Sequence, residues 1–210
     1  MPVSLPPIPR YPRFQLRNPS AADIAAFRQA NAPAAVSYAC VGQSAEGRPA
    51  GYTVDHNRVL LGTGERAWER ACAALDGWQM FPRSWTRIAG PDSSIQTGDT
   101  LAMIARGFGV WWMNACRIVY VVNESAPVRR HGFAYGTLPA HVEEGEERFL
   151  VEMLADGSVW YDLRAFSKPR FLPVRLAKPW ARRLQRRFVR ESLAAMQRAV
   201  ASPPADAGAV

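Results

Sequence analysis

Apolar residues alternate with polar ones along most of the stretch from Val36 to Phe166, then switch to helical spacing beyond Pro179. Alternation of this kind predicts half-buried strands. The segments are "VSYACVG", "YTVDHNRVLLG", "TLAMIARGFGVWWM", "CRIVYVVNE", "HGFAYGTL", "RFLVEML" and "SVWYDLRAFS". Gly98-Asp99 makes a turn before the third, and Ala155-Asp156-Gly157 joins the last two as a hairpin. The run from Ile118 to Val122 is apolar on both faces, which predicts a central strand covered on both sides. In the last strand Val159, Tyr161, Leu163 and Ala165 form an apolar face, opposed by Trp160, Asp162, Arg164 and Phe166.

Three segments have helical character. "AADIAAFRQANA" follows Asn18-Pro19-Ser20, which supplies a cap, and Pro33 ends it. Thr63 is placed to cap "GERAWERACAALDGW", whose Trp68, Cys72 and Leu75 share one face and whose end is marked by Gly77. The third helix opens at Pro179 and runs to about Val200. At about 100° per residue its Trp180, Leu184, Phe188, Val189, Leu193 and Met196 make a broad apolar face. Arg183, Arg186, Arg187 and Arg190 lie opposite.

That helix and the sheet each need a partner for an apolar face. The predicted fold is α+β, a curved antiparallel sheet wrapped around the long C-terminal helix, because this buries both faces at once. Pro2, Pro6, Pro7, Pro9 and Pro12 forbid a regular helix or central strand near the start. The expected division is an arm with a short helix over 1–35, one domain over 36–200 and a frayed tail over 201–210.

Composition narrows the class. The chain has 210 residues of which 48% are apolar, enough for one core. Cys40, Cys72 and Cys116 are odd in number and contain no CxxC pair, which argues for a reducing compartment. No signal-peptide pattern opens the sequence, and no run of about 18 apolar residues spans a bilayer. A cytoplasmic protein is expected, with peripheral attachment to a membrane as the variant. The net charge of +8 is local: between Arg164 and Arg198 stand eleven basic residues and one acidic residue, Glu191.

The stretch "FAYGTLPAHVEEGEERF", followed by "LRAFSKP", resembles the signature of the family catalogued as domain of unknown function 1990. The specific cluster is Tyr135-Gly136-Thr137-Leu138, His141 and Gly145-Glu146. Tyr38, Gly42, "LLGTG", Trp78, Trp85 and Gln185 are weaker landmarks, and the resemblance covers roughly Val36 to Val200. Val142 stands where the resemblance leads one to expect proline. The element order is similar to that of the START and birch-pollen-allergen (helix-grip) superfamily, which implies a cavity for an apolar ligand between sheet and helix.

Four glutamates beside His141 invite a metal or acid–base reading. Alternation puts His141 and Glu143 on one side of a strand and Glu144 and Glu146 on the other. Too few ligands then converge for zinc, and the glutamates lack a calcium loop, so no metal and no cofactor is expected. His141 and Glu146 are the catalytic candidates, as a proton-transfer pair acting on an apolar substrate. The residue types favour a structural role for both, fixing an irregular connection between strands.

On a concave sheet face the aromatic residues Trp85, Trp111, Tyr135, Phe149 and Tyr161 would line a ligand pocket. Arg117, Thr137, Asp162 and Arg164 would orient its polar groups, Arg117 through a carboxylate of the protein or the ligand, and His141 would stand on the site wall. Arg183, Arg186, Arg187 and Arg190 form the candidate surface for an anionic membrane or an acidic partner protein. Nucleic acid is disfavoured, since the arginine strip lacks aromatic interleaving and no nucleic-acid-binding motif accompanies it. The leading expectation is binding of a small apolar or amphipathic ligand by a carrier, sensor or accessory protein.

Overall fold

A computed structural model describes residues 9–90, 94–107, 109–170 and 177–201. Most of the proline-rich arm, Phe108 and the expected tail from 202 onward lie outside the described residues. The elements are β1 (Arg13–Gln15), α1 (Ala21–Asn31), β2 (Thr53–Thr63), α2 (Glu65–Asp76), β3 (Thr86–Ala89) and β4 (Thr100–Gly107). They continue with β5 (Val110–Glu124), β6 (Arg129–Thr137), β7 (Glu143–Met153), β8 (Ser158–Pro169) and α3 (Lys178–Ala201). One antiparallel sheet runs in the order β2-β8-β7-β6-β5-β4-β3, and β1 pairs with the first half of β5 where β6 has ended.

The sheet curls around α2 and α3. Leu101 of β4, Ile118 of β5, Phe133 of β6, Phe149 and Val151 of β7 and Tyr161 of β8 share a core with Leu75 of α2 and Met196 of α3. All of these are less than 2% exposed. Each strand sends alternate residues to this concave face, so the apolar face predicted for β8 is the one that meets the helices. A smaller cluster on the convex side joins Phe27 of α1 to Ala102, Ile104, Met113 and Ala115 of β4 and β5.

Several sequence expectations change. "VSYACVG" is not a strand. Its Ser37 amide donates to the Thr137 carbonyl, and two further donors go to a buried carboxylate on the convex face: Tyr38 Oη donates to Glu146 at 2.7 Å and the Gly42 amide at 2.8 Å. β5 is a single strand of 15 residues, running through the break expected before Cys116. Its far half is not covered on both sides, and Val121 is 42% exposed. The N-cap of α2 is Gly64 at φ 79° rather than Thr63, whose backbone is still paired with Ser158 in the sheet. α1 has the expected cap: the Ser20 hydroxyl accepts from the Asp23 amide and the Asp23 carboxylate accepts from the Ser20 amide.

Candidate ligand cavity

Between the concave face and α3 lies a cavity of about 400 Å³. Its walls are mainly apolar. Met103 and Trp112 come from the β4–β5 side, Leu163 from β8, Phe81 and Trp85 from the segment after α2, and Phe188 from α3. Phe14 of β1 and Trp180 of α3 also line it, and at 41% and 57% exposure they mark its mouth. Alternation in β5 brings Trp112 and Asn114 to this side and turns Trp111 and Met113 away.

A few polar groups interrupt the apolar wall. Tyr135 Oη donates to Glu147 Oε2 at 2.5 Å. Burial away from water, beside the negative charges of Glu143 and Asp55, pushes the Glu147 carboxyl up to about 7 despite that hydrogen bond. Glu147 retains some exposure, and that surface opens onto the cavity, since the residue lines it. Glu143 accepts from Gln185 Nε2 at 2.6 and 2.7 Å, and burial raises its pKa as well. Arg182 of α3 holds Asp55 of β2 through two hydrogen bonds of 2.6 and 2.8 Å and donates to Gln185 Oε1 at 2.6 Å.

His141 is 8% exposed and also lines the cavity. Its Nδ1 is 2.9 Å from the Glu143 amide nitrogen and 3.2 Å from the Glu143 carbonyl oxygen. An amide can only donate, so Nδ1 accepts and the proton of the neutral ring is on Nε2. Burial lowers the pKa to about 4, which keeps the ring neutral at pH 7. Asn114 is 1% exposed; its Oδ1 accepts from the Val142 amide at 3.2 Å, while its Nδ2 has no partner among the described residues.

The sequence candidates fall into distinct places. Trp85, Tyr135, Thr137 and His141 line the cavity. Phe149 and Tyr161 are fully buried in the core behind it, with Tyr161 Oη 3.0 Å from Ser192 Oγ. Trp111 faces the convex side near Arg87 and Arg106. Arg117 is not an inward cation: it faces the convex side and donates to the carbonyls of Ala34 at 2.7 Å and Ala32 at 2.6 Å, so it caps the end of α1. Arg164 donates to the carbonyls of Glu46 and Gly47 on that same side.

His141 and Glu146 do not form a pair. Glu146 accepts from Tyr38, the Gly42 and Ser44 amides and the Ser44 hydroxyl, and His141 is occupied by the Glu143 amide. The carboxylate that does share a hydrogen bond with another ionisable side chain of the cavity is Glu147, which the sequence does not single out from its neighbouring glutamates; nor does it single out Asn114, Asp55 or Arg182. Parity along β7 carries the signal for Glu147, two positions before the inward Phe149. No signal of comparable strength marks Asn114.

On α3, Arg183, Arg186 and Arg190 are exposed. Arg187 is engaged: its Nε donates to Glu191 at 2.7 Å and its guanidinium lies 4.7 Å over the Trp85 ring, while Trp85 Nε1 donates to Glu191 at 2.7 Å. Among the described residues no group of three or more His, Cys, Asp or Glu side chains is placed to hold a metal ion. No helix among them is long and apolar enough to cross a membrane.

A curved antiparallel sheet closed over a long C-terminal helix, with a cavity between them, defines the helix-grip class. Within it the chain belongs to the family described as domain of unknown function (DUF1990), which matches residues 37–195. A UPF0548 protein of Deinococcus radiodurans is 42% identical over 188 residues, covering 84% of this chain and 93% of that protein. Another UPF0548 protein, from Dictyostelium discoideum, is 34% identical over 161 residues, covering 72% of this chain and 74% of that one. A crystal structure of a hypothetical protein from Helicobacter pylori aligns with a TM-score of 0.49 at 10% identity, covering 77% of this chain and 94% of that one.

Proposed function

We propose that the chain binds a small apolar or amphipathic molecule between sheet and α3, as a carrier, sensor or accessory protein. The observation that carries this reading is the cavity of about 400 Å³ with apolar walls, within the range typical of small-molecule sites. Its few polar groups suit a ligand with one polar end. Asn114 Nδ2 and His141 Nε2 have no hydrogen-bond partner among the described residues, and Glu147 Oε1 has none either. Of these only Asn114 Nδ2 is fully buried, where a donor left without a partner costs folding free energy; the other two are polar atoms on the wall available to a ligand.

Native mass spectrometry of the purified protein, followed by organic extraction, tests this. An extra mass that leaves with the organic phase is the expected result. A bare chain that also fails to take up a neutral long-chain alcohol would overturn the reading.

A second reading, attachment to an anionic membrane or acidic partner protein, is favoured by one observation. Trp180 is 57% exposed at the cavity mouth, on the helix that carries the exposed Arg183, Arg186 and Arg190. Arg187 contributes less to such a surface, being held by Glu191 and Trp85.

A further inference from the structure

The cavity is acidic as well as apolar. Of its ionisable lining groups, Asp55, Glu143, Glu146 and Glu147 are carboxylic acids, and His141 is held neutral. Three of the four acids are already satisfied. Asp55 is paired with Arg182, Glu143 receives two hydrogen bonds from Gln185, and Glu146 is saturated from the convex side. Glu147 alone keeps an oxygen without a partner among the described residues, and the charges that act on it, those of Glu143 and Asp55, are both negative. Arg106, the lining cation, is exposed and lies 5.6 Å from the Trp111 ring on the other face of the sheet.

A chain of aromatic rings leads away from this acid. Tyr135, its hydrogen-bond donor, is 5.3 Å from Phe149, which is 5.9 Å from Phe81, and Phe81 is 5.3 Å from Phe188. Tyr135, Phe81 and Phe188 all line the cavity. A carboxylate on a largely apolar, aromatic-lined wall complements a positively charged nitrogen. It repels an anionic head group and gives a neutral hydroxyl only an ordinary hydrogen bond.

Resting on the ligand-binding reading above, we propose that the ligand is an amphipathic amine whose protonated nitrogen pairs with Glu147 while its apolar body fills the space between Phe81, Leu163 and Phe188. Asn114 Nδ2 and His141 Nε2, near Val142, then serve an oxygen elsewhere on the same molecule.

Titration calorimetry with decylamine, decanol and decanoate at pH 8 separates head group from body. The amine is expected to bind about tenfold or more tightly than the alcohol, with the acid weakest, since a charge-assisted hydrogen bond exceeds a neutral one by about that factor. In Glu147→Gln the ratio of amine to alcohol affinity should fall to about twofold or less. Equal binding of amine and alcohol to the natural protein, or tightest binding of decanoate, would overturn the amine assignment and leave the cavity standing. Failure of all three probes to bind would overturn both readings.

A measurement without substitution guards against misfolding of the variant. At pH 6.5, near the value to which burial raises Glu147, pairing with an amine should drive a proton off the carboxyl. The titratable groups near Glu147 are Tyr135 on β6, Cys116 on β5, Tyr161 on β8, Glu143 on β7 and Asp55 on β2, the last paired with Arg182 of α3. Binding heat should therefore vary with the ionisation enthalpy of the buffer for decylamine and not for decanol. The same dependence for both probes, or for neither, would contradict the pairing.

Discussion

Two side chains on the cavity wall oppose each other in their response to pH. The Glu147 carboxyl rises from 4.5 to about 7, so the folded chain holds a proton there that the unfolded chain releases. Stability from this group is full below about pH 4.5 and is lost as pH rises towards 7. His141 falls from 6.5 to about 4, so its contribution is present above 6.5 and is lost as pH falls towards 4. Each shift is on the order of 3 kcal/mol, and in the natural protein the two slopes offset each other between about pH 4.5 and 6.5. Urea denaturation from pH 4 to 8 should show Glu147→Gln gaining stability over the natural protein as pH rises, and His141→Asn gaining it as pH falls. Parallel curves for all three proteins would contradict the assignment. At this scale the sequence was half legible. The parity of Glu143, Glu144 and Glu146 could be read from period-two alternation, and their use could not. A tether to α3, a loop anchor and a cavity acid are all glutamate in a strand, and only the partner across space tells them apart.

The elements show why some segments misled. "VSYACVG" has strand composition, yet it forms no ladder: its Ser37 amide meets the last carbonyl of β6, at Thr137, and the Gly42 amide, with that of Ser44 just beyond, meets the Glu146 carboxylate, so the loop over residues 37–52 lies on the convex face. Arg148 and Arg164 pin the same loop through the carbonyls of Ala45, Glu46 and Gly47. Gly136 belongs to this clamp, since a side chain there would overlap the Tyr38 ring. Glu146→Gln should cost about 2–4 kcal/mol in urea denaturation and speed proteolysis within the loop, because a neutral amide cannot accept from all the donors gathered there. Unchanged proteolysis would show that the loop is held by other means. Arg117 gives a second element-scale test. Arg117→Met leaves the carbonyls of Ala32 and Ala34 without that donor and should cost about 1–3 kcal/mol, read by the same denaturation, with no change in ligand affinity. A loss of affinity as large as the loss of stability would return Arg117 to the ligand site. The helices were plainer than the loop, because their apolar spacing and caps are local, whereas a loop that replaces a ladder with one carboxylate is a long-range feature.

For the whole molecule, the apolar faces of sheet and C-terminal helix required a grip around the helix, and the sheet order carries this out. The cavity did not follow from those faces, since the same aromatic residues could have closed it. Phe149 and Tyr161 do pack solidly, while Trp85, Trp112 and Phe188 leave space. The basic end of the chain is likewise divided: Arg182 and Arg187 serve the fold, and Arg183, Arg186 and Arg190 face solvent. If that surface docks on lipid, vesicles rich in phosphatidylserine should retain the protein at low salt, and neutralising those three exposed arginines should release it. Retention that persists at high salt would point to apolar insertion around Trp180 instead.

The central claim, that the space between sheet and α3 is a ligand site, is tested most directly by filling it. Ala165 of β8 lines the cavity one strand from Glu147, so Ala165→Phe places a ring in the empty space. Decanol binding, followed by tryptophan fluorescence, should fall at least about tenfold in the variant while its circular dichroism and denaturation midpoint stay near those of the natural protein. Equal decanol affinity in the two proteins would place the binding elsewhere and contradict the account.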